Sequence, residues 1–333
     1  MLTEPNVPPH ILLGVLESHE LRDVEAMFVA SGDSNSAVYR VNAGRSRFFL
    51  KMRAGDFDQI SASVPAYLYS KGIDAVMAPI ATVMGRLWVR TGRLHWMLYP
   101  FFDGKNGFER ELSRAAWIAL GEAMRQVHDT TLPPRLARRV PGEISLPRFR
   151  NVVKVLDKHV AGLRPFDSAS ARAARFWSHY RGEIRTVVAR SAYLARRIPP
   201  PSRPPVLCHS DLHAGNVLVG RGASIKVVDW DSPVFARPER DLMFIGGGIG
   251  GRWNNPRQSR WFFDGYGPVK LDPIAIAFYR YERIVIDLAE YGRRIFDPNA
   301  PARDRLSNLG KLATAFMPDN VLATAHRTWA DLF

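Results

Sequence analysis

The chain has 333 residues, 46% of them hydrophobic and 23% charged, with one cysteine and a formal net charge of +14 at pH 7. That is enough chain for roughly two lobes around a large core, in a composition ordinary for a soluble globular protein. A lone Cys208 excludes an internal disulfide, which fits a reducing compartment.

Met1 to His10 has no basic leader, and the apolar run Ile11 to Leu16 is too short for a signal peptide or membrane span, so a cytoplasmic protein with no membrane partner is expected. The spacing predicts an amphipathic helix over 9–22. Alternating runs at Met27–Ala30, Ala37–Val41 and Arg47–Lys51 then predict three antiparallel strands. A loop of small residues, Ser31 to Ser36, joins the first two. Loops of this kind can bring backbone N–H groups close to phosphates, although an ordinary hairpin turn has the same composition. A helix over about 57–70, interrupted by Pro65, should follow. Strands near 76–83, 87–90 and 95–99 are expected to complete a five-stranded sheet. Met97 to Gly104 passes from an apolar strand into a turn.

Apolar residues recur at helical spacing over 112–127, with His128-Asp129 closing that helix and His128 read as structural. Helices are predicted over 147–162 and 168–197, both dense in arginine. Residues 135–203 hold sixteen Lys or Arg against four Asp or Glu, whereas residues 1–103 hold ten of each. The charge excess is therefore confined to one segment, where it reads as a solvated helix face. No nucleic-acid motif or aromatic interleaving accompanies it, and no nucleic-acid partner is expected.

The densest chemistry lies in residues 206–231. Apolar runs at Val206–Cys208, Val217–Val219 and Ile225–Val228 predict strand, loop, strand, turn and strand, with the turn at Gly220 to Gly222. The loop carries His209, Asp211, Leu212 and Asn216, and the last run ends in Asp229 and Asp231. Carboxylates and an amide oxygen gathered at one end suit a hard divalent cation such as Mg2+. Asp211 precedes Asn216 by five positions, the interval between base and metal-binding amide in the H-R-D-L-x-x-x-N kinase loop. Beyond it, Pro238 to Leu242 opens a helix running into Gly246-Gly247-Gly248. A long helix is predicted over 271–296, and a final helix or pair over 302–330, broken at Met317-Pro318. Glu282 and Glu290 share a face of the long helix, with Arg280, Arg283, Arg293 and Arg294 available for surface salt bridges.

The ordered set His209, Asp211, Asn216 and Asp229 resembles the aminoglycoside phosphotransferase and choline kinase group. Within it, Val228-Asp229-Trp230-Asp231-Ser232-Pro233 with Arg240 to Gly246 looks most like the spectinomycin phosphotransferase branch. The resemblance implies an α+β, bilobal, protein-kinase-like fold. Residues 1–102 would form a nucleotide-binding lobe ending in a hinge, and 103–333 a mostly helical catalytic and substrate-binding lobe. It also implies transfer of the γ-phosphate of ATP or GTP to an alcohol, here an aminocyclitol or aminoglycoside, with antibiotic resistance as the consequence. Asp211 would be the catalytic base, with His209 beside it as a catalytic group that mainly braces the loop. Asn216 and Asp229 would hold Mg2+, with Asp231 as a further ligand or neighbour of the ion.

By the same resemblance Lys51 would steady the α- and β-phosphates, helped by the backbone around Ser34, Asn35 and Ser36. Tyr99, Phe101 and Phe102 would frame the purine. Asp241 would brace the catalytic loop. Glu282, Asp287 and Glu290 are candidates to meet ammonium groups of a small, hydroxylated, cationic substrate. The sequence departs from the kinase pattern in one place. There is no Glu between Glu25 and Glu109 to pair with Lys51, leaving Asp56 or Asp58 as shorter substitutes. The motifs describe the phosphoryl donor site, so acceptors such as choline, homoserine or a protein serine, and a catalytically inactive binding module, stay open.

Overall fold

The computed structural model describes residues 7–29, 36–143, 147–201 and 203–333. An antiparallel sheet forms the N-terminal part, from β1 (Val24–Val29), β2 (Ser36–Ala43), β3 (Ser46–Ala54), β4 (Val89–Thr91) and β5 (Leu94–Pro100), in the order β1-β2-β3-β5-β4. Successive strand residues point to opposite faces, and the sequence uses both. Ala37, Tyr39, Val41, Leu50, Met52, Trp96 and Leu98 bury one face against Val15 and Leu16 of helix α1 (Pro9–Glu17). The other face of β3 therefore carries Phe49, Lys51 and Arg53, with Lys51 directly opposite Met97 of β5.

Residues 76–83 are not a strand of this sheet. Pro79 lacks an N–H, and the segment makes only isolated bridges, Val76 to Val227 and Ile80 to Leu98. It ties the sheet to the chain's later hairpin instead. Helix α2 (Ile60–Ser70) accommodates Pro65, and its buried residues Ile60, Val64 and Leu68 join the larger apolar cluster of the C-terminal part.

That part is helical around two small sheets. Strand β6 (Lys105–Asn106) pairs with a hairpin of β8 (Val217–Val219) and β9 (Ile225–Val227). Strand β7 (Val206–Cys208) pairs with β10 (Val234–Ala236), not with that hairpin. The helices are α3 (Arg114–Asp129), the single turn α4 (Pro134–Ala137), α5 (Pro147–Gly162), α6 (Ser168–His179) and α7 (Arg181–Ala195) before the hairpin. After it come α8 (Glu239–Leu242), α9 (Pro256–Tyr266), α10 (Pro273–Ile295), α11 (Ala302–Thr314) and α12 (Val321–Ala330). The single helix expected over 168–197 breaks at Tyr180, whose ring packs against Phe176 and Phe316.

Helix α10 is the pillar of the C-terminal part. Asp272 caps its start by accepting from Ile274 N at 2.8 Å and Ala275 N at 3.2 Å. Helices α5, α7, α8, α11 and α12 all pack on it. Helix α9 was not foreseen, and it lies against α3 backbone to backbone. A side chain at Gly121 would run into Phe262 O, and one at Gly265 into Ile118 O. No helix among the described residues is long and apolar enough to cross a membrane.

Candidate active site

The loop after β7 turns on a residue in the left-handed region, Ser210 with φ +70°. A non-glycine backbone there costs energy and persists only when its surroundings fix it. Asp241 of α8 supplies the fixing. Its carboxylate, fully buried, accepts from His209 N at 2.8 Å and Ser210 N at 2.7 Å. His128 of α3 donates to the same carboxylate at 3.1 Å and meets Tyr266 of α9 through its other nitrogen at 2.7 Å. Burial by itself would raise the Asp241 carboxyl, but His128 and then His209 outweigh it and hold it below the usual range.

His209 is committed to the same bracing. Its Nε2 lies 2.9 Å from Val228 O, and its Nδ1 accepts from Asp211 N at 3.2 Å. Both ring nitrogens thus meet backbone groups, the arrangement of a side chain that shapes the loop around Asp211. A second tether runs through Asn216. Its Nδ2 donates to Asp211 O at 2.8 Å, and its backbone O accepts from Val228 N at 2.9 Å. These bonds carry the loop across to the end of β9, where Asp229 also has a left-handed backbone, φ +66°.

Asp211, Asn216, Asp229 and Asp231 are thereby gathered, and Lys51 reaches them from the sheet. Its Nζ lies 2.8 Å from Asp229 Oδ1 and 3.1 Å from Asp231 Oδ1. Arg53, two residues on and on the same face, pairs with the other oxygen of Asp231. Lys51 thus pairs with carboxylates of the C-terminal part, and among the described residues neither Asp56 nor Asp58 pairs with it. Asp58 instead accepts from Ile60 N at 3.1 Å, at the start of α2. The two clustered carboxylates are driven apart. Burial opposes ionisation of both, but Lys51 outweighs it at Asp229 and depresses that carboxyl, while Asp231, with Asp229 beside it, is raised. Lys51 is raised despite its burial because these carboxylates face it.

Asp211 has its own cation. Arg283 of α10 pairs with Asp211 Oδ1, and its Nε lies 3.2 Å from Asp287. Burial would push the Asp211 carboxyl up, but Arg283, then His213 and His209, hold it below the usual range. Beside it lies a cavity of about 180 Å³ lined by Ser210, Asp211, Ser232, Arg240, Tyr279 and Arg283 among others. Arg283 and Arg280 are not the surface residues their spacing suggested. Arg280 is also turned inward and donates to Met243 O at 3.0 Å.

Of the three acidic residues expected to meet a cationic acceptor, Glu282 and Asp287 pair with arginines and Glu290 stands at the surface. Glu282 is buried and accepts from Arg150 at 3.0 Å and Ser191 at 2.6 Å, which ties α10 to α5 and α7. Asp287 stands behind Arg283, and Glu290 lies at the surface 3.7 Å from Arg293. At the end of β5, Phe101 stacks on Phe49 with ring centroids 5.0 Å apart under the Arg47 guanidinium. Its backbone N–H donates to Arg47 O at 3.3 Å, so that group is not among those free for a purine. Phe102 packs against Gly104 and Gly220, and Tyr99 OH donates to Met97 Sδ at 3.3 Å. Ser36 begins β2 opposite Arg53, whereas Ser34 and Asn35 lie outside the described residues. In the basic segment, Arg181 and Arg185 both pair with Asp157, so part of that charge binds helices together.

The phosphotransferase enzyme family model matches residues 25–279, which include every residue of this cluster except Arg283 and Asp287. Among solved structures, the chain is similar to the spectinomycin phosphotransferase APH(9)-Ia crystallised with ADP and spectinomycin. The two share 33% identity, with 98% of this chain and 99% of that one covered at a TM-score of 0.92. The AMP-bound form of that enzyme matches at a TM-score of 0.86 and 33% identity, over 95% of this chain and 98% of that one. A microcompartment-associated aminopropanol kinase shares the fold at 17% identity and a TM-score of 0.60, over 97% and 98% of the two chains. Among curated protein sequences none matches significantly. The chain belongs to the phosphotransferase enzyme family and is a kinase-like phosphotransferase acting on hydroxyl groups.

Proposed function

We propose that the protein transfers the γ-phosphoryl group of ATP or GTP to a hydroxyl of spectinomycin or a close aminocyclitol relative. The observation that carries this is 33% identity over 98% of the chain to an enzyme crystallised with ADP and spectinomycin. It is supported by the meeting of Lys51, Asp211, Asn216 and Asp229 in one cluster. Residues 1–102 serve as the nucleotide-binding lobe and 103–333 as the catalytic and acceptor-binding lobe.

Phosphoryl transfer asks a protein mainly for positioning and charge neutralisation. Asp211 receives or orients the proton of the acceptor hydroxyl, its carboxylate kept ionised by the surrounding cations. Lys51 leaves its carboxylates for the triphosphate tail, and Arg53 stays on Asp231. Asp229, Asp231 and the Oδ1 of Asn216 would hold Mg2+, since all three offer the oxygen donors that ion takes. When bound there, the ion neutralises charge on the phosphates. Phe101 and Phe49 supply the apolar edge for the base. The buried thiol of Cys208, pushed up by burial, is a packing group and not a reactive one.

A coupled assay of nucleotide consumption tests this, run with Mg2+ and either ATP or GTP. The acceptors are spectinomycin, a panel of aminoglycosides, choline and homoserine. Turnover that depends on spectinomycin is expected; turnover only with choline or homoserine would reassign the acceptor and keep the chemistry.

A further inference from the structure

Among the described residues, Arg283 is a cation at the cluster that the proposed phosphoryl-donor machinery does not use. It sits on α10, far along the chain from the hairpin, yet its guanidinium reaches the loop. Nη1 donates to Asp211 Oδ1 while Nε faces Asp287 one turn further along the same helix, at 3.2 Å. A planar guanidinium held at two points cannot swing with the freedom of a lysine ammonium. The Phe244 ring lies 6.0 Å below it, and the side chain is only one-fifth exposed. On the Asp211 carboxylate the two oxygens are treated differently. Oδ1 is taken by Arg283. Among the described residues, Oδ2 has longer neighbours, Asn216 Nδ2 at 3.4 Å and His213 Nε2 at 3.7 Å. Arg283 also lines the cavity beside Asp211, the space adjoining the carboxylate on which an acceptor would converge.

We propose that Arg283, anchored by Asp287, is a positioning residue that clamps Asp211 through Oδ1 and presents Oδ2 to the acceptor hydroxyl. This rests on the reading of Asp211 as the group that receives that hydroxyl. The clamp explains why α10 places a half-buried arginine and a half-buried aspartate at this level. An i,i+4 pair on a helix surface contributes little to stability, whereas a reacting group misplaced by about 1 Å can cost about 10²-fold in rate. It also explains why Asp287 is not available to a cationic acceptor.

The test uses Arg283→Ala, Arg283→Lys and Asp211→Asn in the full-length protein with Mg-ATP. Each is read twice, with spectinomycin as acceptor and in the slow hydrolysis of Mg-ATP by water, which needs no identified acceptor. For Arg283→Ala, kcat should fall about 10²-fold with the nucleotide KM within about twofold. Guanidinium chloride at tens of millimolar should restore much of that loss, and the same concentration of sodium chloride should not. Arg283→Lys keeps the charge without the fork, so its kcat should fall about tenfold; it carries the test if Arg283→Ala does not fold. Wild-type kcat in either Arg283 variant would overturn the clamp, as would a loss in folded Arg283→Ala that guanidinium does not relieve. Wild-type turnover in Asp211→Asn would remove Asp211 from the reaction and the clamp with it. An inactive Asp211→Asn beside unaffected Arg283 variants would overturn the clamp alone. If spectinomycin elicits no turnover in the wild type, the acceptor assignment falls, and the hydrolysis readout still decides the clamp.

Discussion

Replacing Asp241 with alanine should destabilise the protein far more than its distance from the reacting atoms suggests. The substitution removes the acceptor for His209 N at 2.8 Å and for Ser210 N at 2.7 Å, both on residues under a tenth exposed, and for His128 Nε2 at 3.1 Å. A buried donor left without its partner costs about 1–3 kcal/mol, with hydrogen bonds to a charged acceptor at the upper end. Two orphaned amides therefore cost about 2–6 kcal/mol. The φ of +70° at Ser210 loses the contact that holds it. Set against a typical folding stability of about 5–15 kcal/mol, the loss should be plain in urea denaturation followed by tryptophan fluorescence, as a lower midpoint at similar slope. Asp241→Asn, which keeps one acceptor oxygen, should fall between the two. A loss below about 1 kcal/mol for Asp241→Ala would refute the bracing role.

Lys51→Met should raise the nucleotide dissociation constant about tenfold or more in calorimetry with ADP, since it deletes the charge facing Asp229 and Asp231; unchanged affinity would remove Lys51 from the donor site. Asp157, buried beside Arg185, Arg181 and Trp177, has its carboxyl lowered from 3.8 because these partners outweigh the burial that opposes ionisation. Its folded-state value lies below its unfolded one, so its stabilisation is present above about pH 4 and is lost as pH falls through the folded value. Asp157→Asn should thus lose stability at pH 7 and show a shallower decline on acidification, measured by thermal melts across pH. Gly121→Ala should cost at least about 2 kcal/mol by forcing α3 from α9, and a melting temperature matching wild type would contradict the close approach.

Much of the proposed donor site was legible because several of its polar groups lie close together in the sequence. His209, Asp211 and Asn216 lie within one loop, and Asp229 is one hairpin away. Asp241 was readable as a brace for the same reason. The acceptor side was not. Helix α10 is covered on several sides, so a four-residue repeat of Glu and Arg could not tell which face is buried. Glu282 consequently lies against Arg150 and Ser191, and Arg283, which looked like a surface partner, points at Asp211. The strand expected over 76–83 failed because an apolar run fixes burial but not pairing, and Pro79 cannot donate to a ladder. Helix α9 did announce itself. Asn255-Pro256 is a cap followed by proline at the first helical position, and Asn255 does accept from Arg257 N at 2.9 Å. The pairing of Lys51 and Arg53 with Asp231 was beyond the sequence, since only the folded chain brings these residues together.

Identification of the product by mass spectrometry comes first among the experiments. The wild-type protein and Asp211→Asn are each incubated with Mg-ATP and spectinomycin. Spectinomycin should gain one phosphoryl group, with equimolar ADP formed, in the wild type alone. Unmodified spectinomycin in the wild-type reaction, or phosphorylated spectinomycin from both proteins at the same rate, would contradict the proposed function or the role of Asp211 respectively.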